Sequence, residues 1–185
     1  MDQTSELIAG LADDLDGHFE SLVLLYQDRL YRFALRVSGN PEDAEEVAQD
    51  ALVRAYQALA RYPTERILAL ALRPWLYQIC LNVFRNRVRR RTLQLTPLDG
   101  DLPEHSDRER PERLVEAAEG SRELANLLAA LPDRFRAAVV LRHIEELGIA
   151  EIAAVLGQPE GTVKSNIHRG IRLLRQEMER SEVLV

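Results

Sequence analysis

The sequence predicts an all-α protein of two small helical domains joined by a flexible linker, the C-terminal one containing a helix-turn-helix, and three observations carry that prediction. Apolar residues recur at three- and four-residue steps through residues 18–91 and again through 116–180, the period that stacks side chains on one face of a helix. No stretch alternates apolar and polar residues between hairpin turns, and no internal repeat is found. Between the periodic stretches, TLQLTPLDGDLPEHSDRERPERLV (residues 92–115) holds three prolines and many charges without a sustained apolar period. The expected order is an acidic N-terminal tail at 1–17, a first domain at 18–91, a linker at 92–115 and a second domain at 116–185.

In the first domain, Phe19, Leu22, Tyr26, Leu30 and Phe33 place a helix over about residues 18–37, ended by Ser38-Gly39-Asn40. Pro41 opens the next helix, with Glu42 and Asp43 in a first turn whose unpaired N–H groups and positive dipole end favour carboxylates. It continues to about residue 60. One side carries Ala44, Val47, Ala48, Ala51 and Ala55, while the opposite arc carries Asp43, Glu46, Gln49 and Asp50, with Val53 inside it and Tyr56 at its edge. Acids interleaved with apolar side chains suit docking on a basic helix of a partner, although most acidic helix faces simply meet water.

A third helix spans residues 73–91, RPWLYQICLNVFRNRVRRR. Trp75, Leu76, Ile79, Val83 and Phe84 supply its core face, Trp75 as an anchor. The other face sets Asn82 and Asn86 among arginines that include Arg85, Arg89 and Arg90, groups that bond base edges and phosphates, with Tyr77 available for stacking. The arginines alone would equally be a generic basic helix end. Cys80, among Ile79, Leu81 and Val83, is expected to be a small core residue rather than a redox switch.

In the second domain, residues 147–175, LGIAEIAAVLGQPEGTVKSNIHRGIRLLR, read as two helices around a tight turn. Ile149, Ile152, Ala153 and Leu156 share one face of the first, and small Ala153 sits where the two would cross. Gly157 ends that helix, and Pro159 restarts the chain with a φ suited to a first turn. In the second helix Val163, Ile167, Ile171 and Leu174 form the buried stripe, leaving Lys164, Ser165, His168, Arg169 and Arg172 outward. A tight turn, a small crossing residue and a cationic outer face in one segment point to duplex DNA.

The formal net charge of −6 is segregated along the 185 residues rather than spread. Residues 1–28 contain no Lys or Arg, and residues 67–98 contain no Asp or Glu, so a local cationic surface survives the acidic sum. The single cysteine excludes an internal disulfide, and no Cys/His cluster has zinc-ligand spacing. Neither a P-loop, a Gly-x-Ser-x-Gly elbow nor a paired His/Asp/Glu constellation is found, so no catalytic residue, metal or cofactor is expected. The acidic start has no basic region followed by an apolar run, and the longest apolar stretch falls far short of the roughly 20 residues of a membrane span. A soluble, cytoplasmic protein is expected.

Taken in order, AEEVAQDALVRAY, WLYQICLNVFRNRVRRR, a polar linker and LPDRFRAAVVLRHIEELGIAEIAAVLGQPEGTVKSNIHRG resemble a bacterial sigma factor of the extracytoplasmic-function group, over roughly residues 18–180. The resemblance implies one domain that binds the clamp of RNA polymerase core and melts the minus-ten promoter element, and another that reads the minus-thirty-five element. It implies polymerase contacts at Asp43, Glu46, Gln49 and Asp50, extended here to Val53 and Tyr56. Asn82 and Asn86 would capture the unpaired strand while the arginines after them follow its backbone. Lys164, Ser165, Asn166, His168 and Arg169 would enter the groove, with Gly161 and Thr162 near phosphate at the helix N-terminus. An anti-sigma factor is implied as a further partner, and the acidic linker would either thread a basic polymerase channel or act as a spacer.

Three positions depart from the family pattern. Asn166 stands where Arg is usual, which exchanges a long cation for a short amide. Gly170 stands where Ala is common, which is expected to fray the helix past Arg169. The loop at 61–73, RYPTERILALALR, is more apolar than a base-capturing loop usually is. The competing function is a stand-alone helix-turn-helix regulator that binds duplex DNA without core polymerase. It would need a sensing or dimer-forming domain, which residues 18–91 do not resemble.

Overall fold

The computed structural model describes residues 3–95 and 119–183, and every regular element among them is a helix. The order is α1 (Gln3–Asp13), α2 (Leu15–Ser38), α3 (Pro41–Leu59), α4 (Thr64–Leu68), α5 (Leu72–Leu95), α6 (Glu119–Ala129), α7 (Asp133–His143), α8 (Ile149–Leu156) and α9 (Glu160–Val183). Of the expected linker, residues 92–95 belong to α5 and the remainder lies outside the described residues.

The stretch expected as an acidic tail is largely a helix of the first domain. Leu7 and Leu11 of α1 are buried where it packs on α2 and α4. Asp14, in extended conformation, then starts α2 by accepting a hydrogen bond from Gly17 N–H at 3.0 Å. The acids of the tail therefore conceal an apolar pair at four-residue spacing. The α2–α3 hairpin closes as the sequence suggests: Asn40 Oδ1 accepts from the N–H groups of Glu42 and Asp43 at 2.9 and 3.1 Å, and Pro41 occupies the first turn. Helix α5 lies across both, and the alanine side of α3 (Ala44, Ala51, Ala55) is fully buried, which brings the helices close.

The second domain forms around α7, whose residues Phe135, Arg136, Ala137, Ala138, Val139, Val140 and Leu141 are all buried. A run with no exposed side belongs to a helix covered all round, and α7 packs on α2, α8 and α9. Helix α8 ends at Gly157, which takes φ of 64° so that the chain reverses into α9, a conformation that costs a side-chain-bearing residue about 1–2 kcal/mol. The helix-turn-helix thus appears where the pattern placed it.

Helix α9 does not fray at Gly170; it runs unbroken to Val183. The glycine is buried at the crossing with α7, where an added Cβ would lie 2.5 Å from Val139 Cγ2 and 3.4 Å from Phe135 Cβ. Close helix approach, not lost helicity, explains the residue. Gly170→Ala is therefore expected to lower stability by roughly 1–3 kcal/mol through overpacking, outweighing a propensity gain of at most about 1 kcal/mol. A lower urea midpoint, read by helical circular dichroism, checks this. An unchanged or higher midpoint would show that the crossing has room.

Candidate nucleic-acid interface

The acidic arc of α3 is divided in two. Asp43 is 7% exposed and its carboxylate faces α5, with Arg91 Nη2 and Nη1 at 2.6 and 2.7 Å and Arg87 Nη2 at 3.7 Å. Glu46 is exposed but pairs with the same Arg87. Asp43 is thus withdrawn from the partner face that the wheel assigned to it, because two arginines of its own domain claim it. The hydrogen bond that Arg91 donates to the Asp43 carboxylate in turn raises the Arg91 pKa. Gln49 and Asp50 remain exposed beside Val53, which is 56% exposed, and Tyr56. Tyr56 donates its hydroxyl to Asp16 Oδ1 at 2.6 Å and meets the edge of Phe19, which fixes the ring at the rim of this strip.

On α5, Trp75, Ile79, Asn82 and Asn86 follow one another at four, three and four residues and so share a stripe. Asn82 is exposed, and Asn86 Oδ1 accepts from Arg89 Nη2 at 3.3 Å. Arg85, Arg89 and Arg90 are exposed. Arg85 also lines a cleft between the domains, where partial burial lowers its pKa. The five arginines of residues 85–91 thus separate by chemistry: Arg87 and Arg91 neutralise α3, while Arg85, Arg89 and Arg90 face outward.

Tyr77 is not on that outer face. It is 1% exposed, its ring packs against Phe33 at 4.9 Å, and its hydroxyl donates to Glu145 of the second domain. Burial and that carboxylate push its pKa up. No base can stack on it in this arrangement. Trp75, expected as the core anchor, is the half-buried aromatic instead, 6.1 Å from Tyr62, whose own face is covered by Arg66 at 3.6 Å.

The first turns of α9 present Gly161, Thr162, Lys164, Ser165, His168 and Arg169, all exposed. Lys164 lies 4.0 Å from Glu160, a solvent-screened pair that does not hold it back. Asn166 differs. It is 7% exposed and donates from Nδ2 to Gln158 Oε1 at 3.0 Å, so it ties the turn to the helix and is not a groove contact.

Two comparisons identify the fold's lineage. Residues 22–94 match the family described as Sigma-70 region 2, and residues 121–174 match Sigma-70, region 4. The chain is 33% identical over 170 residues to the ECF RNA polymerase sigma factor SigW of Bacillus subtilis, covering 86% of this chain and 88% of that protein. The chain belongs to the extracytoplasmic-function sigma factors. It is also 38% identical to SigE of Mycolicibacterium smegmatis over 160 residues, spanning 85% of this chain but 60% of the length of that relative. Among solved structures, CnrH in complex with the cytosolic domain of CnrY superposes with a TM-score of 0.68 at 25% identity, covering 97% of this chain and 99% of that one. The sigma factor RpoE in complex with the anti-sigma factor NepR from Bartonella quintana shares the fold, with a TM-score of 0.70 at 24% identity over 87% of this chain and 96% of that one.

In this sigma factor, two buried charged residues escaped the sequence reading. Arg136 donates to the carbonyls of Leu128, Ala129 and Leu131 at 2.8, 2.9 and 2.8 Å, and to Val37 O of the first domain at 2.6 Å. The available signal was its place in the run FRAAVVL, where a charged residue has apolar neighbours on both sides. Glu145 gave no signal, because it lies in a turn. Among the described residues no group of three or more His, Cys, Asp or Glu could hold a metal ion.

Cys80 is fully buried, and burial pushes its thiol up to about 12. The sigma factor should therefore react with a disulfide-exchange reagent at pH 8 only after unfolding, since the nucleophile is the thiolate. Stopped-flow absorbance with and without denaturant tests this; rapid reaction of the native protein would contradict the buried assignment.

Proposed function

We propose that this chain is a promoter-specificity subunit: α3 docks on RNA polymerase core, α5 holds the opened minus-ten strand and α9 reads the minus-thirty-five duplex. The observation that carries the reading is the presence of three separate exposed faces of suitable chemistry. Gln49, Asp50, Val53 and Tyr56 form an acidic and apolar docking strip. Asn82 with Arg85, Arg89 and Arg90 combines amides for base edges with cations for phosphate. Lys164, Ser165, His168 and Arg169 project from a recognition helix whose N-terminal N–H groups, near Gly161 and Thr162, suit a phosphate.

Strand opening in this scheme is driven by binding. Extruding a base costs a few kcal/mol, which contacts to the captured base and its backbone offset, so the subunit acts without catalysis or a cofactor. Its place of action is the cytoplasm, with the polymerase; no described helix is long and apolar enough to cross a membrane. An anti-sigma factor is a further partner, by analogy with the inhibitor named with the Bartonella sigma factor.

Run-off transcription with purified core tests the assignment. Asp50→Arg reverses charge at the centre of the docking strip and is expected to weaken core binding at least about thirtyfold, in line with the roughly 2–5 kcal/mol lost on disrupting charged interface contacts. Lys164→Ala with Arg169→Ala should spare core binding and weaken upstream promoter recognition, each contact contributing about 1–3 kcal/mol. Equal core affinity for wild type and Asp50→Arg would refute the docking strip. Tight duplex binding without core would favour the stand-alone regulator.

A further inference from the structure

We propose that the cleft between α5 and α7 is a binding site for a small amphiphilic anion, a medium-chain aliphatic carboxylate. Its floor is apolar: Val37 of α2, Leu81 and Phe84 of α5 and Ala137 of α7 are buried there, with Val88 half-buried beside them. The apolar core runs continuously through both halves of the molecule, and the cleft opens onto it. An aliphatic chain laid in the cleft would therefore extend that core rather than meet a polar wall.

Three guanidinium groups edge this floor. Arg85 and Arg89 line it from α5 and Arg134 from α7, where Arg134 also lies over the Phe135 ring at 4.6 Å. Among the described residues no carboxylate is within ion-pair distance of any of the three. The acid that lines the cleft, Asp133, is 3.5 Å from Arg136 Nη1 and so is already countered. Partial burial lowers the Arg85 pKa, which marks a guanidinium that has lost water without gaining an anion. An apolar trough edged by unpaired cations selects a ligand with an apolar body and an anionic head, and a guanidinium can hold a carboxylate through two N–H groups at once.

Volume sets the size of the occupant. At about 290 Å³ the cleft holds roughly ten groups of about 30 Å³, the share of one water in the liquid and close to that of a methylene. A single chain of about eight to ten carbons fills it. Neither a partner's helix, about 10 Å across, nor a two-chain lipid fits that space. On the reading that α5 holds the opened minus-ten strand, Arg85 and Arg89 are also the cations that follow its phosphates. A bound carboxylate takes them, so the amphiphile and the single strand compete.

Isothermal titration of the full chain with decanoate tests the site. One decanoate per chain is expected, with decanamide and decyltrimethylammonium at least about tenfold weaker because the rim is cationic. Shortening to octanoate and hexanoate should weaken binding by up to about fourfold per carbon, the contribution of one buried methylene. Arg134→Ala, an exposed position on α7 outside the strand-binding face, should weaken decanoate about five- to tenfold while helicity and strand affinity stay unchanged. Decanoate should also displace a fluorescent minus-ten single strand from the wild-type chain, read by anisotropy. Equal affinity for the carboxylate, the amide and the ammonium would overturn the site, as would affinity independent of chain length or of Arg134. Tighter association with phosphatidylglycerol vesicles than with free decanoate would overturn it in favour of a membrane surface. Decanoate that binds as expected without displacing the strand would refute the assignment of Arg85 and Arg89 to DNA and leave the cleft standing as a ligand site.

Discussion

The packing of α5 against three neighbours governs most of what this molecule can present. The helix lies on α2 and α3 within its own domain and on α8 of the other, so two sides are covered and one stripe remains. Asn82 and Asn86 survive on that stripe because they stand seven and eleven residues beyond Trp75. Tyr77, two residues from Trp75, is rotated by about 200° and meets the second domain. A wheel drawn for one buried face assigns such a residue to solvent, whereas a helix with two buried faces does not.

Charge pairing imposes the second constraint. Asp43 can be 7% exposed only because Arg87 and Arg91 compensate its carboxylate, and this pairing joins the start of α3 to the end of α5. A buried charge without such partners would be severely penalised. The same pairing thins the positive surface of α5 to Arg85, Arg89 and Arg90, so the basic cluster is partly structural and partly outward-facing. Arg136 solves a related problem by donating to the carbonyls of Leu128, Ala129 and Leu131, at and just beyond the end of α6, where helical hydrogen bonding runs out.

Much of the fold was legible in advance. The α2–α3 turn, the Gly157 reversal and the basic face of α9 follow from local rules that act over a few residues: a capping amide, a left-handed glycine, an apolar stripe of period 3.6. Helix α1 was missed because Leu7 and Leu11 offer only two turns of pattern among acids, and their partners on α2 and α4 come later in the chain. Of the candidate site, the exposed groups Asp50, Asn82, Lys164 and Arg169 were read correctly as outward-facing. Asp43, Tyr77 and Asn166 were not, since each is claimed by a residue that sequence spacing does not reveal as its neighbour: Arg91, Glu145 and Gln158.

By itself the sequence determined the helical class, the helix-turn-helix and the segregation of cations from acids, because periodicity, capping and composition are encoded within single turns. Only the tertiary structure decided which polar groups are spent holding the molecule together and which remain for a partner. The physical reason is that burial is a property of two surfaces meeting. A side chain's own helix fixes its direction, and the helix lying opposite fixes whether that direction leads to water.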